Sequence, residues 1–260
     1  MGGLGHHALE LTGIAGDPGS RVHRLDPRAK IVGLLGVTLA AVSSPLDRWP
    51  VFVACGGVLV LYAALARVHP GQLWRRVRVV LPLVLLVGVL LPFARTGGAA
   101  YELGPLTVHA AGLAVFATVA AKATIGTLSA ALLGATTTFP AVLRGLEALR
   151  VPRLLVLIAA FMYRYLFVIV GEVGRMRSAL ASRGYRPRHA LHAGPMGRMA
   201  TAMFLRTYGR GERVYLAMLA RGYRGAMPQL VPLSLGRADF AFVAAVVLAL
   251  VPLRVIGAAP

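Results

Sequence analysis

Arginine is the side chain through which this sequence could do chemistry, and two arginines are placed alike. Arg183 sits in Ala179-Leu180-Ala181-Ser182-Arg183-Gly184-Tyr185-Arg186, and Arg221 in Ala217-Met218-Leu219-Ala220-Arg221-Gly222-Tyr223-Arg224. Alanine, arginine, glycine, tyrosine and arginine recur in register. A guanidinium is a planar five-donor fork that stays charged, so its chemistry is recognition rather than bond breaking. Each stretch alone reads as a helix C-terminus: glycine takes the left-handed conformation after the last turn, and a cation suits the negative end of the dipole. The repetition adds a second reading. Two nearly identical ends predict two equivalent partner sites, as on a dimeric partner.

Other chemistry-bearing residues are few. Lys122 lies alone in a long apolar run, where an ionisable group marks a functional position by default, yet a lysine repels a cation and can equally face a polar pocket between helices. His6, His7 and His23 could touch a metal ion, but adjacent histidines in a tail are weak ligands without further donors, so no metal site is assigned. Glu172 and Glu212 stand near Arg175 and Arg213 and read as helix-surface ion pairs. Cys55, the single cysteine, falls in an apolar run and reads as a small packing residue. There is no Gly-rich lysine loop for phosphate and no His-Glu-x-x-His pair. The residues therefore point to no catalytic role and to no cofactor.

The elements that must hold the arginine pair are apolar. Of the 260 residues, 57% are hydrophobic and 14% charged, with mean hydropathy +0.71. That composition predicts a polytopic all-α membrane protein. Lys and Arg number 28 against 9 Asp and Glu. The basic residues lie between apolar spans rather than in a soluble domain, so membrane topology explains them and nucleic acid is not an expected partner. Residues 1–24 read as a cytoplasmic tail. Asp26 and Pro27 fit the N-cap and first position of a helix reaching about Ser44. Further runs follow over Trp49–Ala66 and Val77–Phe93, with His69-Pro70-Gly71 read as a turn. Leu106–Phe139 reads as one long helical run rich in small residues that allow close helix approach. Pro140 starts a short helix, long helices end at Arg183 and Arg221, and a last span covers Ala238–Val251.

Charge decides how the segment Val151–Val170 sits. Four basic residues precede the first run, four lie between the second and third, and sixteen lie from Arg144 to Arg237, whereas the two loops on the other side hold only Arg48 and Arg95. With the N-terminus inside, a full crossing at 151–170 would put both Arg-Gly motifs outside, against the positive-inside rule. The expected organisation is thus five transmembrane helices, or six if that segment crosses. Residues 25–139 hold the first four, 140–236 a cytoplasmic or interfacial module of long crossing helices, and 237–260 the last.

The sequence resembles the transmembrane T component of energy-coupling factor (ECF) ABC transporters, in its cobalt-type CbiQ family, over roughly residues 20–255. The resemblance rests on Val22-His23-Arg24-Leu25-Asp26-Pro27-Arg28-Ala29-Lys30, on Ala135-Thr136-Thr137-Thr138-Phe139-Pro140, on Leu149-Arg150-Val151-Pro152 with Met162-Tyr163-Arg164-Tyr165-Leu166-Phe167, and on the paired Arg-Gly ends. It implies that Ser182, Arg183 and Gly184, with Ala220, Arg221 and Gly222, dock into two cytoplasmic ABC-type ATPase subunits. Ser182 stands where the family has alanine. It also implies a substrate-binding membrane subunit as partner, cobalt or nickel as the transported ion, and a bacterial cell membrane setting. A T component shared by vitamin importers is the alternative, with an intramembrane enzyme or a secondary transporter behind it.

Overall fold

The computed structural model describes residues 20, 22–45, 48–94, 100–103, 106–185, 194–225 and 235–256. These form α1 (Pro27–Val42), α2 (Trp49–Leu65), α3 (Pro70–Ala94), β1 (Ala100–Leu103), β2 (Leu106–His109), α4 (Ala110–Thr136), α5 (Phe139–Ala148), α6 (Arg153–Ser182), α7 (Gly194–Ala220) and α8 (Arg237–Ile256). Contacts divide the chain into two units, one made of Met1–Leu149 with Leu233–Pro260 and the other of Arg150–Pro232. The described residues are helical apart from one antiparallel hairpin, which pairs Ala100 with His109 and Leu103 with Leu106. The apolar run from Leu106 therefore opens as a strand, and its helix begins at Ala110. At 27 residues that helix is about 40 Å long.

The first unit packs α1, α2, α4 and α8 around one apolar core. On α1, Leu34, Val37 and Ala41 are buried, and on α2, Val51, Cys55, Leu59 and Tyr62. Both sets recur at helical spacing and mark one face. The opposite faces are just as apolar: Leu35, Leu39, Val53 and Val60 are more than half exposed. A helix that is hydrophobic all round belongs in a bilayer, where lipid covers the outer face. Small residues set the helix spacing. A Cβ on Gly33 would lie 2.5 Å from Phe242 of α8, and one on Gly145 would lie 2.9 Å from Ile31. By length and composition, the helical segments Gly112–Thr136 and Arg153–Ser182 could each cross a membrane.

A buried polar cluster fastens the helix ends of this unit. The Asp26 carboxylate accepts from the Arg28 N–H at 2.8 Å, which caps α1. Asp239 does two jobs at 2.7 Å each: Oδ2 accepts from the Gly236 N–H beside the start of α8, and Oδ1 accepts from the Asp26 N–H. Lys30, 1% exposed, donates through Nζ to the carbonyls of His23 and Thr136 at 3.1 Å. Tyr62 Oη and Thr136 Oγ1 are 3.1 Å apart. Two stretches that carry the family resemblance, at 22–30 and 135–140, thus meet through Lys30 and Thr136. Lys122 donates to Val42 O at 2.9 Å, on the last carbonyl of α1, so its ammonium serves a helix C-terminus. Pro70 begins α3 rather than a turn, because its missing N–H costs nothing in the first helical turn.

Candidate functional site

The second unit holds both Arg-Gly ends, and the two are built alike. At the end of α6 the Gly184 N–H donates to Ala181 O at 3.0 Å and the Tyr185 N–H to Leu180 O at 3.1 Å. At the end of α7 the Gly222 N–H donates to Leu219 O at 2.9 Å and the Tyr223 N–H to Met218 O at 3.0 Å. Each pair is a Schellman cap, with glycine at φ +76° and +79°. That geometry explains the repeated letters. Glycine supplies the left-handed residue, tyrosine follows it, and the apolar residue that accepts the tyrosine N–H is Leu180 in one copy and Met218 in the other. Burial repeats too: Leu180, Tyr185, Met218 and Tyr223 are half-buried, while the residues between them in both copies are exposed.

Arg183 and Arg221 are the C-cap residues themselves, exposed, and neither guanidinium has a hydrogen bond or ion pair among the described residues. A Cβ at Gly184 or Gly222 would meet nothing within 4 Å. Glycine is therefore required by the backbone and leaves an open surface. Ser182 donates its Oγ to Ser178 O at 3.0 Å, so the hydroxyl that replaces alanine is satisfied inside its own helix. Ala220 is the last residue of α7.

The ends differ in their surroundings. Arg183 and Gly184 line a cleft of about 610 Å³ with Met176, Leu180, Tyr185 and the first turns of α7 at Arg198 and Met199. None of its lining residues among those described comes from the Ala220–Gly222 end. Glu172 ties the two helices together, accepting from Arg175 at 2.6 Å on its own helix and from Arg206 of α7 at 2.7 Å. The hydrogen bonds from Arg175 and then Arg206 hold its carboxyl below the usual carboxylate range. The i, i+3 pair is legible in the sequence; the partner on α7 is not. Glu212 forms no ion pair among the described residues. His6 and His7 lie outside the described residues, and His23 Nδ1 lies 2.7 Å from Ser20 Oγ. Among the described residues no three His, Cys, Asp or Glu side chains group as metal ligands.

Comparison with known proteins gives a consistent picture. A family model described as CbiQ, cobalt transport protein, matches residues 18–232. A protein named as a fused cobalt transport protein, CbiMQ, from Methanocorpusculum labreanum is 27% identical over 238 residues, or 85% of this chain and 37% of the relative. The energy-coupling factor transporter transmembrane protein EcfT of Acidaminococcus fermentans is 29% identical over 235 residues, 85% of this chain and 86% of that protein. A protein named as an ABC transporter ATP-binding protein, from Bifidobacterium longum, is 27% identical over 250 residues, 88% of this chain and 31% of the relative. The chain thus spans about a third of the length of the first and last of these relatives.

Proposed function

The chain belongs to the CbiQ family of cobalt transport proteins, and from that premise we propose that it is the T component of an ECF-type ABC importer that passes ATP-driven movement to a substrate-binding membrane subunit. The observation that carries this reading is the pair of matched Schellman caps, each presenting beside a glycine an exposed arginine that is unpaired among the described residues. Such an end is a rigid tip: the cap fixes the backbone, and the missing side chain lets a partner surface come close. Two tips suit two copies of an ATPase. The Bifidobacterium relative, named for ATP binding and more than three times the aligned length, supports an ATPase partner.

In this mechanism ATP closes the two ATPase subunits and the docked ends of α6 and α7 move with them. The helices, clamped by Glu172, act as levers on the substrate-binding subunit, which tilts and releases its ion. Hydrolysis belongs to the partner, and this chain is a non-catalytic subunit. The family description supports cobalt as the ion, with nickel as its chemical neighbour. The concentration of arginine from Arg144 to Arg237 supports a cytoplasmic face for both tips, an N-terminus on the same side, five spans and a bacterial inner membrane.

The test is co-purification with the ATPase subunits. Arg183→Glu and Arg221→Glu each place a reversed charge in a guanidinium pocket, at a cost on the order of 3 kcal/mol or more. Each variant should lose ATPase while still inserting in the membrane. A double variant that retains its full ATPase complement would sink the proposal.

A further inference from the structure

We propose that α6 binds acidic phospholipid headgroups along a stripe made of Arg153, Arg164 and Arg175, and so lies along the membrane surface over its apolar half. Leu154–Val170 contains a single charged residue, Arg164, at its middle. Arg164 is exposed and has no hydrogen bond or ion pair among the described residues. At the centre of a bilayer an arginine costs about 2.5–3.5 kcal/mol on insertion scales, so a lone one calls for an anion at headgroup depth.

Helical geometry extends the site. Arg153 and Arg175 lie eleven residues to either side of Arg164. Eleven residues make about three turns, so the three guanidinium stems fall within about 20° of one another per step on a single line. All three residues are exposed. On the opposite side of the helix Leu155, Ile158, Met162 and Leu166 are exposed as well, 40–68% of each being open. A basic line facing an apolar line is the pattern of a helix lying flat, with acyl chains on one side and headgroups on the other. Aromatic pairs flank Arg164 on both sides: Phe161 with Tyr165 at 6.3 Å, and Tyr163 with Phe167 at 5.4 Å. Aromatic rings of this kind favour the interface. The stripe runs about 33 Å, which matches a surface of repeated phosphates better than a single acidic contact on a protein. Arg175, at one end of the stripe, also pairs with Glu172, so Arg164 at its middle is the open guanidinium on which headgroup binding turns.

Native mass spectrometry of the full chain, titrated with phosphatidylglycerol or phosphatidylcholine, tests this. The wild type should retain phosphatidylglycerol over phosphatidylcholine. Arg164→Gln should weaken that retention about five-fold, and Arg153→Gln with Arg164→Gln about 25-fold. Arg177→Gln, which removes an equal charge away from the line, should leave it unchanged. Equal weakening by Arg177→Gln would reduce the effect to net charge and overturn the stripe. So would equal retention of the neutral lipid. Release of the substrate-binding subunit by Arg164→Gln, with lipid retention intact, would assign the stripe to a protein instead. None of these variants touches Arg183 or Arg221, so a failure of ATPase docking would leave the lipid result standing.

Discussion

Gly184 and Gly222 are held by backbone geometry alone. With φ at +76° and +79° and open space around the missing Cβ, an alanine at either position meets strain but no clash. Gly184→Ala and Gly222→Ala should each cost about 1 kcal/mol locally, and nearly equally. Faster hydrogen exchange at the Tyr185 and Tyr223 amides would report it, and unchanged exchange would contradict the cap assignment. Ser182→Ala should leave exchange and ATPase retention unchanged, because the hydroxyl bonds only to Ser178 O. These ends were readable from sequence because glycine after a helical run has one common cause. Arg67 and Arg150, at φ 51° and 68°, occupy the same left-handed region without that letter, and nothing in their side chains announces it.

Among elements, the fastening of α1 to α4 and α8 through Lys30, Asp26 and Asp239 has the largest energetic stake. Lys30→Met leaves the carbonyls of His23 and Thr136 without their donor and should lower stability by about 2–3 kcal/mol. Thermal unfolding of the detergent-solubilised chain measures it; an unchanged midpoint would mean that water replaces the ammonium freely. Gly33→Leu should cost about 1–3 kcal/mol by pushing α8 away through Phe242. The N-cap at Asp26 was legible, since cap and helix are neighbours in sequence. The role of Lys30 was not, because its acceptor Thr136 O lies 106 residues away and no local pattern encodes that pairing. The hairpin was hidden for a different reason: an apolar run has no periodicity that separates a strand from the helix it joins.

For the whole molecule, the two units carry different kinds of surface. The first closes a core and exposes apolar flanks, whereas the second has Val156 as its one buried hydrophobic among the described residues. A body with so little core depends on partners or lipid for its stability. Single-cysteine labelling tests the proposed orientation. Ser182→Cys and Ala220→Cys should react from the cytoplasmic side and a cysteine at position 260 from the other, with the buried Cys55 silent. Reaction of Ser182→Cys from outside would reverse the topology. Helix number and order were largely legible from apolar runs and charge. The discontinuity of the first unit was not, since α8 returns to it only after the whole of 150–232.

That return has a consequence for biogenesis. The Asp26 N–H leaves the ribosome 213 residues before Asp239, which accepts from it and sits near the Lys30 ammonium. Until α8 is made, α1 waits in the membrane with the Asp26 N–H lacking its Asp239 acceptor and with Phe242 absent from Gly33. Nascent chains that stop short of residue 237 should therefore remain associated with insertion and quality-control machinery, and release should follow synthesis of α8 rather than of the coupling module.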